Sequence, residues 1–243
     1  GFQGTPPTHP ELLDWLAKEF VQQGWKLKEM HRLIMTSGVY RQNSLPNARA
    51  LQSDPDNVLL SRYPLRRLDA ETIRDSLLHV SGQLDTTPFG PADEVKVASS
   101  GEVTSHATSK GFRRSVYMVQ RHAHPLTMLE LFDAPAMLPN CLYRTETTVP
   151  TQALYLWNSA MVRNCSARFS EIVLAADPEN VDRQIESIYH RALVRLPTPH
   201  ERQRAQAAIA DFASGWQEFS ADDPTMAHRQ ALMTFCHTVL NSP

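Results

Sequence analysis

Cysteine is scarce in this chain of 243 residues, where Cys141, Cys165 and Cys236 are the whole complement. Three scattered thiols cannot build a disulfide framework. At most one bridge forms within the chain and one thiol is left over, so the count does not fix the redox compartment. Buried free thiols are the expected state. Net charge is also small, at −2, which gives no electrostatic reason for a nucleic-acid or anionic-membrane partner. No apolar run approaches membrane-spanning length, and no signal-peptide pattern occurs in these residues. The chain opens at Gly1 without Met and stops at Asn241-Ser242-Pro243, so it reads as a piece of something longer.

Catalytic signatures are missing too. The nine glycines are scattered singly, so no Gly-rich phosphate-cradling loop appears, and no Gly-x-Ser-x-Gly nucleophile elbow occurs. Covalent haem attachment needs two cysteines three apart followed by His. The nearest match is Met233-Thr-Phe-Cys236-His237, where Met occupies the first cysteine position and no thioether can form. No cofactor is expected within this chain, and Cys236-His237 reads as helix core.

What is present is helical periodicity. Hydrophobic content of 42% suffices for a substantial core, as one large domain or two small ones. Thr8 and Glu11 have capping-box spacing ahead of Leu12, Leu13, Leu16 and Phe20. Gly24 should end that helix and Lys26 begin a second, with Leu27, Met30, Leu33 and Ile34 inward. The central stretch, Tyr63 to Leu84, places Ala70, Ile73, Leu77, Val80 and Leu84 on one helical stripe between Asp69 as N-cap and Gly82. From Asp85 to Gly111 the chain turns polar and loop-like. Arg113 to Arg121 then alternates with period two, which predicts a strand paired near Glu94 to Val103. A short helix follows at Pro125 to Phe132, then one from Thr148 to about Phe169. Val181 to Ala192, a helix capped by Thr198 and Glu201, and one bearing Leu232, Phe235 and Val239 form a small antiparallel bundle. The expected fold is therefore mainly α: a multi-helix orthogonal bundle with a small antiparallel β excursion and a C-terminal helical subdomain. Residues 1–179 form the main domain with the excursion at about 85–121. Residues 180–243 form the terminal part, separate or continuous with it.

The most informative polar cluster lies on the central helix, where Glu71, Asp75 and His79 follow each other at one-turn intervals. Three chemistries compete for it. A structural ion network with Arg67, Arg74, Arg113 or Arg114 is favoured, because guanidinium forks match buried carboxylates. Glu71 and Asp75 could alternatively work as acid and base if burial pushed their pKa values apart. A divalent metal is the third option, although positions eight apart drift by about 80° around a helix. His122 and His124 are a second candidate metal pair, sharing a face of the predicted strand, against a solvated loop beside Pro125. Arg66, Arg67, Arg113, Arg114 and Arg144, with Arg41, Arg62 and Arg121, could hold a sulfated or carboxylated polymer, or lock the excursion onto the helices. Tyr40, Tyr63, Tyr117, Tyr143 and Trp157 could serve as a sugar platform or as core.

Read in order, GTPPTHPELLDWLA, GWKLKEMHRLIMTSGVYRQ, RRLDAETIRDSLL, RRSVY, the FDAP turn and TTVPTQALYLWN resemble the planctomycete-specific domain of unknown function. The resemblance covers nearly the whole chain. It implies a C-terminal module of large extracytoplasmic proteins, periplasmic or extracellular, with a cytochrome c domain and a second family-specific domain upstream as partners in the same polypeptide. It supplies no catalytic residues. A non-catalytic scaffold or interaction module is the leading expectation. The alternative is an enzyme or binding domain acting on an acidic or sulfated polysaccharide, with Glu71 and Asp75 as its carboxylates.

Overall fold

A computed structural model describes residues 4, 6–45, 48–135, 144, 146–219 and 224–242. Cys141 and Tyr143 lie outside the described residues. The protein is mainly α-helical, as its periodicity predicts, with a small antiparallel β element. Two compact units divide the chain, Gly1–Arg67 and Leu68–Pro243.

The first unit carries α1 (Pro10–Gln22), α2 (Leu27–Thr36) and α3 (Ala48–Ser53). The Thr8–Glu11 capping box does not form. His9 is the N-cap, and the Thr8 hydroxyl turns to its ring at 2.9 Å. Gly24 ends α1 in the left-handed region, as expected. Neither α1 nor α2 holds a fully buried residue, so the apolar faces read from the sequence are not enclosed. Three short helices supply too little surface to close a core of their own. Asp54 is buried here and accepts the Val58 and Leu59 amides at 2.7 and 3.0 Å, which makes the Asp54-Pro-Asp-Asn57 turn.

The second unit opens with α4 (Ala70–Val80). Gly82 at φ +68° ends it in a Schellman motif, its amide reaching His79 O and that of Gln83 reaching Leu78 O at 2.8 Å. Its buried face is rotated from the predicted stripe. Ala70 and Leu77 are buried as expected, but Arg74 and Leu78 are the most enclosed, while Ile73 and Val80 are only half-buried.

The excursion also differs from expectation. The antiparallel hairpin lies earlier, between β2 (Val95–Val97) and β3 (Val103–Ser105), with Lys96 opposite Thr104. The predicted strand from Arg113 shrinks to β4 (Phe112–Arg113), which pairs in parallel with β1 (Leu84–Asp85). Ser115–Tyr117 coils into a 3-10 turn, leaving Val116 71% exposed and Met118 5% exposed, so their alternation does not trace a pleat. Hydrogen bonds from Ser115 to Asp75 (below) draw the chain onto α4 at that point.

Helices α5 (Thr127–Leu131), α6 (Pro150–Asn158) and α7 (Ala160–Ala176) follow. The single helix expected from Thr148 to Phe169 breaks at Ser159, whose ψ of 128° interrupts the ladder. The buried Gln152 ties α6 to the end of α5 by donating to Leu131 O at 2.9 Å and Thr147 O at 3.1 Å. Helices α8 (Val181–Leu193), α9 (Pro199–Phe219) and α10 (Pro224–Leu240) complete the unit. One apolar cluster, around Phe169, Ile185, Ile188, Leu232 and Cys236, joins α7 to α10. Another, around Leu78, Met128, Phe132 and Val162, lies under α4. Helix α7 serves both. Cys165 and Cys236 are free and buried, and burial pushes both thiols up. His237 stacks on Trp157 at 4.9 Å, so the Cys236-His237 pair belongs to packing.

The Thr198–Glu201 capping box does form. Glu201 accepts the Thr198 amide at 2.8 Å, and its own amide meets the Thr198 hydroxyl at 3.3 Å. Arg195 and this cap hold the Glu201 carboxyl down at about 2, against an ordinary 4.5. A depressed folded pKa stabilises above the unfolded value and loses that stabilisation as pH falls toward the folded one. Between pH 4.5 and 2, the thermal midpoint of Glu201→Gln should therefore fall less than that of the unsubstituted chain. Parallel falls in circular-dichroism melts would contradict this.

Candidate functional site

Helix α4 presents Thr72, Ser76 and His79 along one face beside Glu71 and Asp75, and this face floors a cleft of about 750 Å³. The 3-10 segment supplies Arg114, Ser115 and Val116 to its wall, the end of α8 supplies Arg191 and Val194, and Arg144 closes one side. The volume falls within the range of small-molecule sites.

Both carboxylates are engaged. Arg144 grips Glu71 with a bidentate fork, Nη1 to Oε2 at 2.7 Å and Nη2 to Oε1 at 3.0 Å, and lies 3.8 Å from Asp69. That fork holds the Glu71 carboxyl below the usual range despite partial burial. Asp75 Oδ1 accepts the Ser115 amide at 2.8 Å and the Ser115 hydroxyl at 2.7 Å. Arg74 Nη1 and Arg114 Nε each stand 3.4 Å from its oxygens.

Arg74 is the buried hub. Its side chain is fully enclosed, and burial disfavours its charged form while Asp75 beside it favours it. Nη1 donates to Arg113 O at 3.0 Å and Ser115 Oγ at 3.2 Å, and Nη2 to Ser105 Oγ at 2.8 Å. One guanidinium thus fastens β3, β4 and the 3-10 turn to α4. Guanidinium suits this because it spreads five donors in a plane and stays charged.

Of the other predicted residues, Arg113 points away from the cleft. It donates to Pro91 O at 2.9 Å and Asp93 Oδ1 at 3.0 Å, and lies over the Tyr117 ring at 4.2 Å. Arg121 Nη2 meets both Glu94 oxygens, at 3.1 and 2.8 Å. These two brace the excursion within itself, whereas the alternative weighed for the arginines had them fasten it onto the helices. Arg66 and Arg67 close the first unit, Arg66 exposed and Arg67 half-buried. His122 and His124 are exposed in a turn, where the His124 amide meets Arg121 O at 3.3 Å, and do not continue a strand. Among the described residues, no group of three or more His, Cys, Asp or Glu side chains is placed to hold a metal ion. His79 lines the cleft and is exposed.

The sequence reading missed Arg191, which more than a hundred residues separate from α4. Nothing local in the α8 pattern sets it apart from any solvated arginine near a helix end. It also missed how completely Arg74 is enclosed. The signal available was that Arg74 sits four residues from both Ala70 and Leu78, inside an apolar face.

No helix among the described residues is long and apolar enough to cross a membrane. No curated protein and no solved structure matches the chain. Residues 1–209 match a sequence family across most of the chain's length, and the chain belongs to that family, PSD1, described as a protein of unknown function (DUF1553).

Proposed function

We propose that this chain is a non-catalytic interaction module of a larger extracytoplasmic, cytochrome c-linked protein of the planctomycete-specific kind. The observation that carries the reading is the unenclosed apolar surface of α1 and α2. Leu12 is 43% and Trp15 48% exposed one turn apart on α1, and Leu27 is 64% and Ile34 42% exposed two turns apart on α2. Exposed apolar side chains sharing a helix face mark docking surfaces. The occupant is the upstream haem or family-specific domain of the same polypeptide.

The state of the carboxylates supports the same reading over polysaccharide cleavage. A glycosidic acid needs a carboxyl with a raised pKa, whereas Arg144 lowers that of Glu71. Asp75 is held by a backbone amide, a hydroxyl and two guanidiniums, as an anchor would be.

Calorimetric titration of the separately produced upstream domains into this chain tests the proposal. Saturable binding with a negative heat-capacity change is expected. The double substitution Leu12→Ser, Trp15→Ser should weaken it by about tenfold or more, as aromatic anchors at interface centres do. No binding, or binding indifferent to the double substitution, overturns the assignment.

A further inference from the structure

The cleft on α4 carries more guanidinium than its described carboxylates match. Four guanidiniums, Arg74, Arg114, Arg144 and Arg191, stand in or directly behind it against three carboxylates, Asp69, Glu71 and Asp75. Arg144 and Arg74 are matched to those carboxylates by the contacts above. Arg114 touches Asp75 only through Nε at 3.4 Å and keeps 58% of its side chain exposed, so its terminal nitrogens face solvent. Arg191 makes no side-chain hydrogen bond or ion pair among the described residues. The hydroxyls of Thr72 and Ser76, the amide of Gln120 and the ring of His79 line the same space, also without side-chain partners among the described residues.

The cleft thus combines two available guanidiniums with several neutral hydrogen-bonding groups, in a volume of about 750 Å³. Among the described residues its apolar lining is Val80, Leu84, Val116, Met118, Ala192 and Val194. A bare inorganic anion would use the guanidiniums and leave the hydroxyls, amide and imidazole to water. A neutral sugar would do the reverse. We infer that the cleft binds an acidic saccharide, its carboxylate or sulfate ester held by Arg114 and Arg191 and its ring hydroxyls meeting Thr72, Ser76, His79 and Gln120. Arginine is suited to this because its fork matches two oxygens of either anion. The inference goes beyond the interaction-module reading and stands or falls separately, since the two are read at different residues.

Titration calorimetry of the whole chain at low ionic strength, with a heparin tetrasaccharide, glucuronate, glucose and inorganic sulfate, tests it. Saturable one-site binding of the tetrasaccharide is expected, with affinity falling as salt rises. Glucuronate binding as tightly places a single acidic residue in the cleft, and tighter tetrasaccharide binding places a polymer segment there. Both outcomes support the inference. Arg191→Ala should weaken binding by roughly 10- to 100-fold, the range for losing a charged hydrogen-bonded pair, while Arg191→Lys keeps part of it. The thermal midpoint of Arg191→Ala should equal that of the parent, because the Arg191 side chain has no hydrogen-bond or ion-pair partner among the described residues. No saturable binding, equal affinity for glucose or for inorganic sulfate, or unchanged affinity in Arg191→Ala at parental stability would each overturn the proposal.

Discussion

Replacing Arg74 with Met should lower the unfolding free energy by about 3–5 kcal/mol, because a buried guanidinium that serves several acceptors is removed and they are left short of a donor. Met fills much of the same volume, so the loss is not that of a cavity. Three acceptors lose their donor at once: Arg113 O, Ser115 Oγ and Ser105 Oγ. Asp75 keeps Ser115 and Arg114 but loses Arg74. The effect should be local first, because the lost contacts all fasten β3, β4 and the 3-10 turn. Urea unfolding gives the magnitude. Amide exchange should show Ser105 and residues 112–118 opening ahead of α7–α10. A loss under about 1 kcal/mol would mean that packing alone holds the excursion on α4.

The second large effect is expected at Gly111. Its φ is +118°, and a Cβ there would stand 2.3 Å from the Gln83 carbonyl oxygen. That oxygen also accepts the Phe112 amide at 2.8 Å, beside the parallel pairing of β1 with β4. Gly111→Ala combines a backbone region nearly closed to L side chains, at about 1–3 kcal/mol, with a clash against backbone that cannot swing aside. A total loss of about 3 kcal/mol is expected by urea unfolding, against the median of about 1 kcal/mol for point substitutions. Gly24→Ala is a useful comparison. Its φ of +70° is also left-handed, but nothing stands within 4 Å of the added Cβ. Its cost should be the backbone preference alone, about 1–2 kcal/mol. Equal losses at the two positions would remove the steric argument.

The helices were legible wherever local chemistry decided them. Asp69 to Gly82 read as a bounded helix because the stripe, the start and the left-handed glycine all act within a few residues. Thr198 and Glu201 read as a capping box for the same reason. Thr8 and Glu11 have the same spacing and fail, because the Thr8 hydroxyl meets the His9 ring instead. The break at Ser159 carries no proline or glycine and could not be read locally. The excursion was misplaced for a different reason. Period-two alternation in Arg113–Arg121 is a local signal, whereas the path of these residues is set by Asp75, some 40 positions earlier. A side chain that captures a backbone amide over that distance overrides strand preference. Burial of Arg74 is also a tertiary outcome, since only the closing of β3 and β4 over α4 encloses it.

The candidate site divides along the same line. Glu71, Asp75 and His79 announce themselves by helical spacing, and Arg114 by sitting inside a predicted strand. Arg144 and Arg191 arrive from elsewhere in the chain, and their arrival decides which charges are matched and which stay available. The expectation that carboxylates on α4 would be met by arginines therefore came from charge chemistry, and the identity of each partner from the fold.

The most direct test of the account is whether Asp75 is an anchor coupled to Arg74. A double-mutant cycle with Arg74→Met, Asp75→Asn and the pair, followed by urea unfolding, measures that coupling. The account predicts an interaction energy of about 1 kcal/mol or more, within the range for residues sharing one network. Additivity to within about 0.5 kcal/mol would contradict it, meaning that Ser115 and Arg114 hold Asp75 without help from Arg74.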